Sequence, residues 1–147
     1  MIDIAKMTEY DGEIASAMGR LRQQLSARHD GAPIAREWLE ELIESPYHDI
    51  LLAMNEKDEV VAMAVVSVVF ATIDRNAYLE DLVVDEACRG QGVGGQMLEA
   101  VKQWGRDKAC RRLEFTSSNR DSKAGAKEFY EKHGATVRAT NFFRIEL

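Results

Sequence analysis

The chain has 147 residues, 46% of them hydrophobic and 30% charged, with a net charge of -6. That length can bury one core, and the composition excludes a disordered tail, a collagen-like chain and a disulfide miniprotein. The longest apolar run, Val60 to Ala71, is broken by Ser67 and falls short of the ~18 residues of a membrane span. No secretory signal pattern opens the chain, so a cytoplasmic protein is expected, without membrane or nucleic-acid partners. Cys88 and Cys110 form no CxxC pair and no ligand spacing with His29, His48 or His133. The cysteines therefore read as reduced bystanders, the histidines as surface or loop residues, and no metal is expected. Charge is uneven: residues 1–74 carry 14 acids and 6 bases, residues 75–147 carry 11 acids and 13 bases. The first half suits a cationic partner and the second an anionic one, although solvated helix faces would give the same pattern.

In chain order, Ile2 to Lys6 is a short strand. Thr8-Glu9-Tyr10-Asp11 has the Ser/Thr-x-x-acid form of a helix start, and Ile14, Met18, Leu21 and Leu25 follow at helical spacing. Gly31-Ala32-Pro33 interrupts, with Pro33 suited to the first turn of a second helix. Its apolar stripe is Trp38, Leu39, Leu42 and Ile43, and Ser45-Pro46 ends it. Asp49 to Met54 and Val60 to Ala71 make a hairpin, and Ala77 to Val84 extends it into an antiparallel meander. Gly92 to Lys108 is a third helix, with Val93, Met97, Val101 and Trp104 on one face. Leu113 to Thr116 is a short strand, and Lys123 to His133 a fourth helix ended by Gly134. Ala135 to Arg138 and Asn141 to Glu146 read as two closing strands. The expectation is one α+β domain over residues 1–147, a mostly antiparallel mixed sheet of about seven strands flanked by four helices.

Chemistry concentrates where a strand runs through a glycine-rich turn into a helix, over Val83 to Gly95. Backbone N–H groups without side-chain cover, at a helix N-terminus and beside Arg89, form a cradle for phosphate oxygens. No Lys-Ser/Thr pair follows, which excludes a Walker A loop. A dinucleotide fingerprint can be forced onto Gly90, Gly92 and Gly95, but it should open a parallel β-α-β unit, not follow an antiparallel run.

Arg89-x-x-Gly92-x-Gly94, preceded by Leu82-Val83-Val84 and followed by an amphipathic helix, resembles the coenzyme A loop of the GNAT superfamily of N-acetyltransferases. Phe129-Tyr130-Glu131-Lys132-His133-Gly134 matches that family's Tyr-x-x-x-Gly segment. The motifs cover roughly residues 78–138, and the rest agrees in element order. Tyr78 to Val84 is similar to the fourth strand of diamine N-acetyltransferases, and the C-terminal half to aminoalkylphosphonate N-acetyltransferases. The resemblance implies acetyl-CoA as cosubstrate, a small-molecule amine as acceptor, direct attack in a ternary complex, and a homodimer. It implies cofactor contacts at Leu82, Val83 and Val84, and at Arg89, Gly90, Gln91, Gly92, Val93, Gly94 and Gly95. Where many members carry a cofactor-touching Asn seven residues before the tyrosine, this chain has Lys123, with Asn119 slightly upstream.

Acetyl transfer to an alkylammonium needs a base, an oxyanion donor and an acid for the leaving thiolate. Glu80 is the candidate base, acting through water, with Asp81 or Tyr78 next. Strand alternation puts Tyr78, Glu80 and Leu82 on one face and Asp81 and Val83 on the other. A carboxylate inside an apolar strand is costly unless paired or functional. Tyr130 reads from helical spacing alone as a packing aromatic; the resemblance implies the general acid. It also implies an oxyanion-binding N–H near Leu82 or Val83. Two alternatives fit the same loop: a protein N-terminal or lysine acetyltransferase, and a non-catalytic acyl-CoA-binding sensor.

Overall fold

The computed structural model describes residues 1–117 and 125–147. Among them the elements run β1 (Asp3–Lys6), α1 (Gly12–Leu25), α2 (Arg36–Glu44), β2 (His48–Met54), β3 (Val60–Phe70), β4 (Arg75–Val84), a 3₁₀ turn (Glu86–Cys88), α3 (Val93–Asp107), β5 (Leu113–Glu114) and α4 (Ala126–Lys132). The chain divides into two compact units, residues 1–116 and 117–147.

In the first unit the sheet order is β1-β2-β3-β4-β5. The first four strands pair antiparallel and β4 pairs β5 in parallel. This is the mixed α+β sheet expected, with five strands among the described residues where about seven were anticipated. Ala135 to Arg138 and Asn141 to Glu146 form no strand. Their apolar alternation creates the potential for one, but a strand exists only through pairing, and neither segment makes ladder hydrogen bonds among the described residues.

The register sorts side chains to the two faces of the sheet. Leu52, Met63 and Val83 lie opposite one another across β2, β3 and β4. They share a core cluster with Ala15, Met18 and Leu21 of α1 and Leu39 of α2. The opposite face receives α3 through Met97, Leu98, Val101 and Trp104, all buried. There Asp49 of β2, only 8% exposed, accepts the Trp104 indole N–H at 2.8 Å. Lys6 and Lys108 reach the same carboxylate at 3.4 and 3.6 Å. A lone buried carboxylate is costly, so this four-residue contact ties β1, β2 and α3 together while compensating the charge.

Helix starts differ in detail from the sequence reading. Asp11, not Thr8, is the N-cap of α1; its carboxylate accepts the N–H groups of Glu13 and Ile14, both at 2.9 Å. Pro33 lies before α2, not in its first turn, because the preceding stretch is held against α1: Ile34 N–H donates to the Ala15 carbonyl at 3.1 Å. The approach is close enough that a Cβ on Gly19 would overlap the Ala32 carbonyl. Trp38 is 66% exposed, whereas Leu39, one position on, is fully buried. A nine-residue helix presents one narrow stripe, and Trp38 sits ~100° around the axis from Leu39.

The Asp49 contact makes a stability prediction. Asp49→Ala leaves a buried indole N–H without an acceptor and should cost about 1–3 kcal/mol. Asp49→Asn keeps an acceptor and should cost less. Urea unfolding of both variants, compared by midpoint at constant slope, checks the order.

Candidate active site

The site is built on β4 and the loop that leads from it into α3. The β3–β4 ladder pairs Val65 with Asp81 but Val66 with Leu79, so Glu80 is an extra residue on β4. This is a β-bulge, in which two residues of one strand oppose one of its partner. It overturns the simple alternation expected from sequence. Ala77 and Leu79, opposite Val68 and Val66, lie on the α3 face. After the bulge Asp81 and Val83, opposite Val65 and Met63, lie on the α1/α2 face, where Tyr78 also lies. Leu82 is on the other side.

β5 pairs only with Ala77 and Tyr78. Beyond them, the β4 edge is left without a ladder partner among the described residues. Asp85 N–H donates to Val61 O at 2.8 Å on the β3 side. Alternation of backbone groups then turns the N–H groups of Leu82 and Val84 toward the open edge, and that of Val83 toward β3. Arg89 Nε donates to the Val84 carbonyl at 3.1 Å, fastening the loop to the end of the strand.

The loop continues through the 3₁₀ turn, where Asp85 accepts Ala87 N–H and the Gln24 side chain accepts Glu86 N–H, each at 2.9 Å. Gly90 and Gly92 have φ of 75° and 82°, a region side chains disfavour. Nothing lies within 4 Å of where their Cβ atoms would stand. Gly92 caps α3, and the first helical bond runs from Gln96 N–H to the Gly92 carbonyl at 3.1 Å. The N–H groups of Val93, Gly94 and Gly95 therefore have no acceptor within the helix, and the helix dipole adds partial positive charge there. Glycine surfaces open to approach, unpaired N–H groups and an adjacent guanidinium fit a diphosphate.

Glu80 and Asp81 sit in contrasting surroundings. Burial, then the neighbouring Asp81 charge, pushes the Glu80 carboxyl up from its ordinary value, while His48 draws it down. Burial also raises Asp81, opposed by His29 and Arg22. Asp81 thus faces cations supplied by α1 and the stretch after it. Glu80 projects from the bulge and is exposed. His48, read from sequence as a surface or loop residue, is a half-buried residue at the start of β2.

The second unit carries Tyr130 on α4. Burial raises its phenol above the ordinary value, so it is protonated at neutral pH. Tyr130 meets Phe129 edge-to-face at 5.2 Å. The helix closes as expected at Gly134, with φ of 94°. Gly134 N–H donates to Glu131 O at 3.1 Å and Ala135 N–H to Tyr130 O at 3.0 Å, the paired bonds of a Schellman cap. Asn119 and Lys123 lie outside the described residues. No group of three or more His, Cys, Asp or Glu side chains among the described residues could hold a metal ion. No described helix is long and apolar enough to cross a membrane.

Residues 12–135 match the sequence profile of the Acetyltransferase (GNAT) family, and the chain belongs to that family. Among curated proteins none matches the chain. Solved structures share its fold at low identity. An aminoglycoside acetyltransferase from an uncultured soil metagenomic sample, in complex with sisomicin, is 19% identical with a TM-score of 0.83, covering 99% of this chain and 97% of that one. Glucosamine-6-phosphate N-acetyltransferase from Arabidopsis thaliana is 20% identical with a TM-score of 0.80, covering 99% and 98%. AAC(6')-Iy, in complex with a bisubstrate analog joining CoA to acetylneamine, is 21% identical with a TM-score of 0.77, covering 100% and 99%.

Two predictions arise here. Gly92→Val places a branched side chain at φ of 82° and covers the N–H groups of α3, so calorimetry should show weaker acetyl-CoA binding than for Arg89→Ala, which itself binds more weakly than the parent. Asp81 gives a pH-dependent stability change. A carboxyl raised by burial favours folding below its unfolded value, and that contribution is lost as pH rises through its folded value. Asp81→Asn should therefore be more stable than the parent at pH 7–8, with the gap closing as pH falls through the carboxylate range. Thermal melts across pH check the sign.

Proposed function

We propose that the protein transfers the acetyl group of acetyl-CoA to the primary amine of a small cationic molecule, by direct attack in a ternary complex. The observation that carries this reading is the open β4 edge, which has a raised carboxyl at its bulge and runs into a loop of unpaired N–H groups. Acetyl-CoA, when bound, supplies the activated acyl group.

The chain's own residues then have distinct tasks. The N–H groups of Val93, Gly94 and Gly95, with Gly90, Gln91, Gly92 and Arg89, hold the phosphates. The N–H of Val84 pairs with the pantetheine amides as an added strand would. The N–H of Leu82, on the same edge, donates to the developing oxyanion. Glu80 accepts the ammonium proton through water, because its side chain reaches the surface at the bulge and its carboxyl is held above the ordinary value. Tyr130 gives its proton to the departing thiolate.

Acceptor preference follows from charge. Glu37, Glu41 and Glu44 recur at helical spacing along α2 and are exposed, while Glu40 is paired with Arg36 at 2.8 Å. In a half of the chain with net charge -8, such a wall concentrates cations. Named partners of the structural relatives, an aminoglycoside and a hexosamine phosphate, are likewise amines. We place the activity in a single domain over residues 1–147, acting as a homodimer in the cytoplasm.

The test is acetyl-CoA consumption against polyamines, aminoglycosides, aminoalkylphosphonates, amino acids and peptides. Cationic small amines should win, with kcat/KM falling as salt is added. Turnover of peptides alone would overturn the small-molecule reading. With the best acceptor, Tyr130→Phe and Glu80→Gln should each lower kcat by ~10²-fold while leaving acetyl-CoA affinity near the parent's. An unchanged kcat would return either residue to a structural role.

A further inference from the structure

His48 is a half-buried titratable group that the proposed mechanism does not use. Its Nδ1 lies 2.8 Å from Ser45 Oγ. Ser45 Oγ also accepts Tyr47 N–H at 3.2 Å, which holds the hydroxyl in place beside the imidazole. The imidazole is thus held through Nδ1 at the α2–β2 junction, which leaves Nε2 as its other polar atom.

The register supplies the direction. His48 lies opposite Ser67, and Ser67 opposite Tyr78, so the three form a row across β2, β3 and β4 on the α1/α2 face. The next row is Ile50, Val65 and Asp81, and the bulge residue Glu80 falls between the two. Ser67 is buried, in a strand otherwise made of Val, Ala, Met and Phe. Cα atoms two strands apart are about 10 Å distant. A long β-branched or aromatic residue at position 67 would fill that interval. Serine is short, and its hydroxyl is polar enough to bond a bridging water.

We infer that His48 is a positioning residue for Glu80: pinned by Ser45, it reaches across Ser67 toward the β4 bulge and holds the carboxylate, directly or through one water, ready to take the acceptor's proton. This rests on the acetyltransferase reading above. The charged and titratable groups around Glu80 are Asp81 on its own strand and His48 from β2, with Arg22 of α1 and His29 of the following stretch acting on Asp81. Among the described residues, His48 is the group acting on Glu80 itself that favours ionisation. Removing it should raise the Glu80 midpoint.

The experiment uses full-length protein with 13C-labelled glutamate carboxyls, the Glu80 signal assigned by its loss in Glu80→Gln. In His48→Asn, which can still meet Ser45 but lacks the imidazole, the Glu80 titration midpoint should move to higher pH. With the best acceptor, kcat should fall several-fold while acetyl-CoA affinity is unchanged. Ser45→Ala, which unpins the ring without removing it, should give a smaller shift of the same sign. A folded His48→Asn protein with the parent's Glu80 midpoint would overturn the inference. A raised midpoint in a protein that acetylates no amine would support the pairing of His48 with Glu80 and overturn the acetyltransferase reading instead.

Discussion

One extra residue in β4 governs the geometry of the site. A paired strand alternates strictly, so inserting Glu80 between the Val66–Leu79 and Val65–Asp81 pairs exchanges the faces of everything after it. Ala77 and Leu79 can then serve the α3 core while Val83, six residues on from Ala77 with the same parity in number, serves the α1/α2 core. Without the bulge those odd-numbered residues would all face one side, and one of the two cores would lose its β4 contribution. The increased local twist that accompanies a bulge also suits the parting of β4 from β5 after Tyr78. Core continuity, the open edge and the exposure of Glu80 therefore share one cause.

That arrangement opposes folding locally. Two adjacent carboxyls sit where burial disfavours their charge, and their own repulsion raises Glu80 further. The opposing contributions come from outside β4: Arg22 and His29 act on Asp81, and His48 acts on Glu80. Asp49, a buried carboxylate of β2, shows the contrast. It is surrounded by a Trp104 N–H and two ammonium groups, and its task is to fasten α3. A carboxylate matched on every side holds structure together. One left partly unmatched at a strand edge retains a capacity to exchange a proton.

Much of the fold was legible because its signals are local. The stripes Ile14, Met18, Leu21 and Val93, Met97, Val101, Trp104 announce α1 and α3, and the long apolar β3 announces the meander. Gly92 and Gly134 marked helix ends that require positive φ. What escaped was non-local. Residues 77–84 read as an uninterrupted strand because a bulge is a relation between two strands. His48 looked like a loop residue because its meaning comes from Ser67 and Tyr78 across the sheet. Trp38 joined Leu39, Leu42 and Ile43 in the stripe of α2 by hydrophobicity alone, although the helix buries Leu39 and leaves Trp38 exposed. The closing strands were inferred from alternation, which shows what a segment could bury but not whether a partner pairs with it.

Ser67 shows how a weak signal in the sequence becomes a strong one in the fold. In the one-dimensional reading it merely interrupts an apolar run. In the sheet it is the short, buried, polar middle member of a row whose ends are an imidazole and a phenol. A valine there would suit strand propensity and core packing better, since it would bury a methyl-bearing side chain and no hydroxyl. Local preference and global placement disagree at this position, as they do at Glu80 one row away. Such disagreements mark where a chain gives up packing for chemistry. Here Ser67 pairs with Tyr78 and Glu80 follows two residues on, beside the strand edge that β5 leaves, which is why the row from His48 to the bulge reads as part of the site.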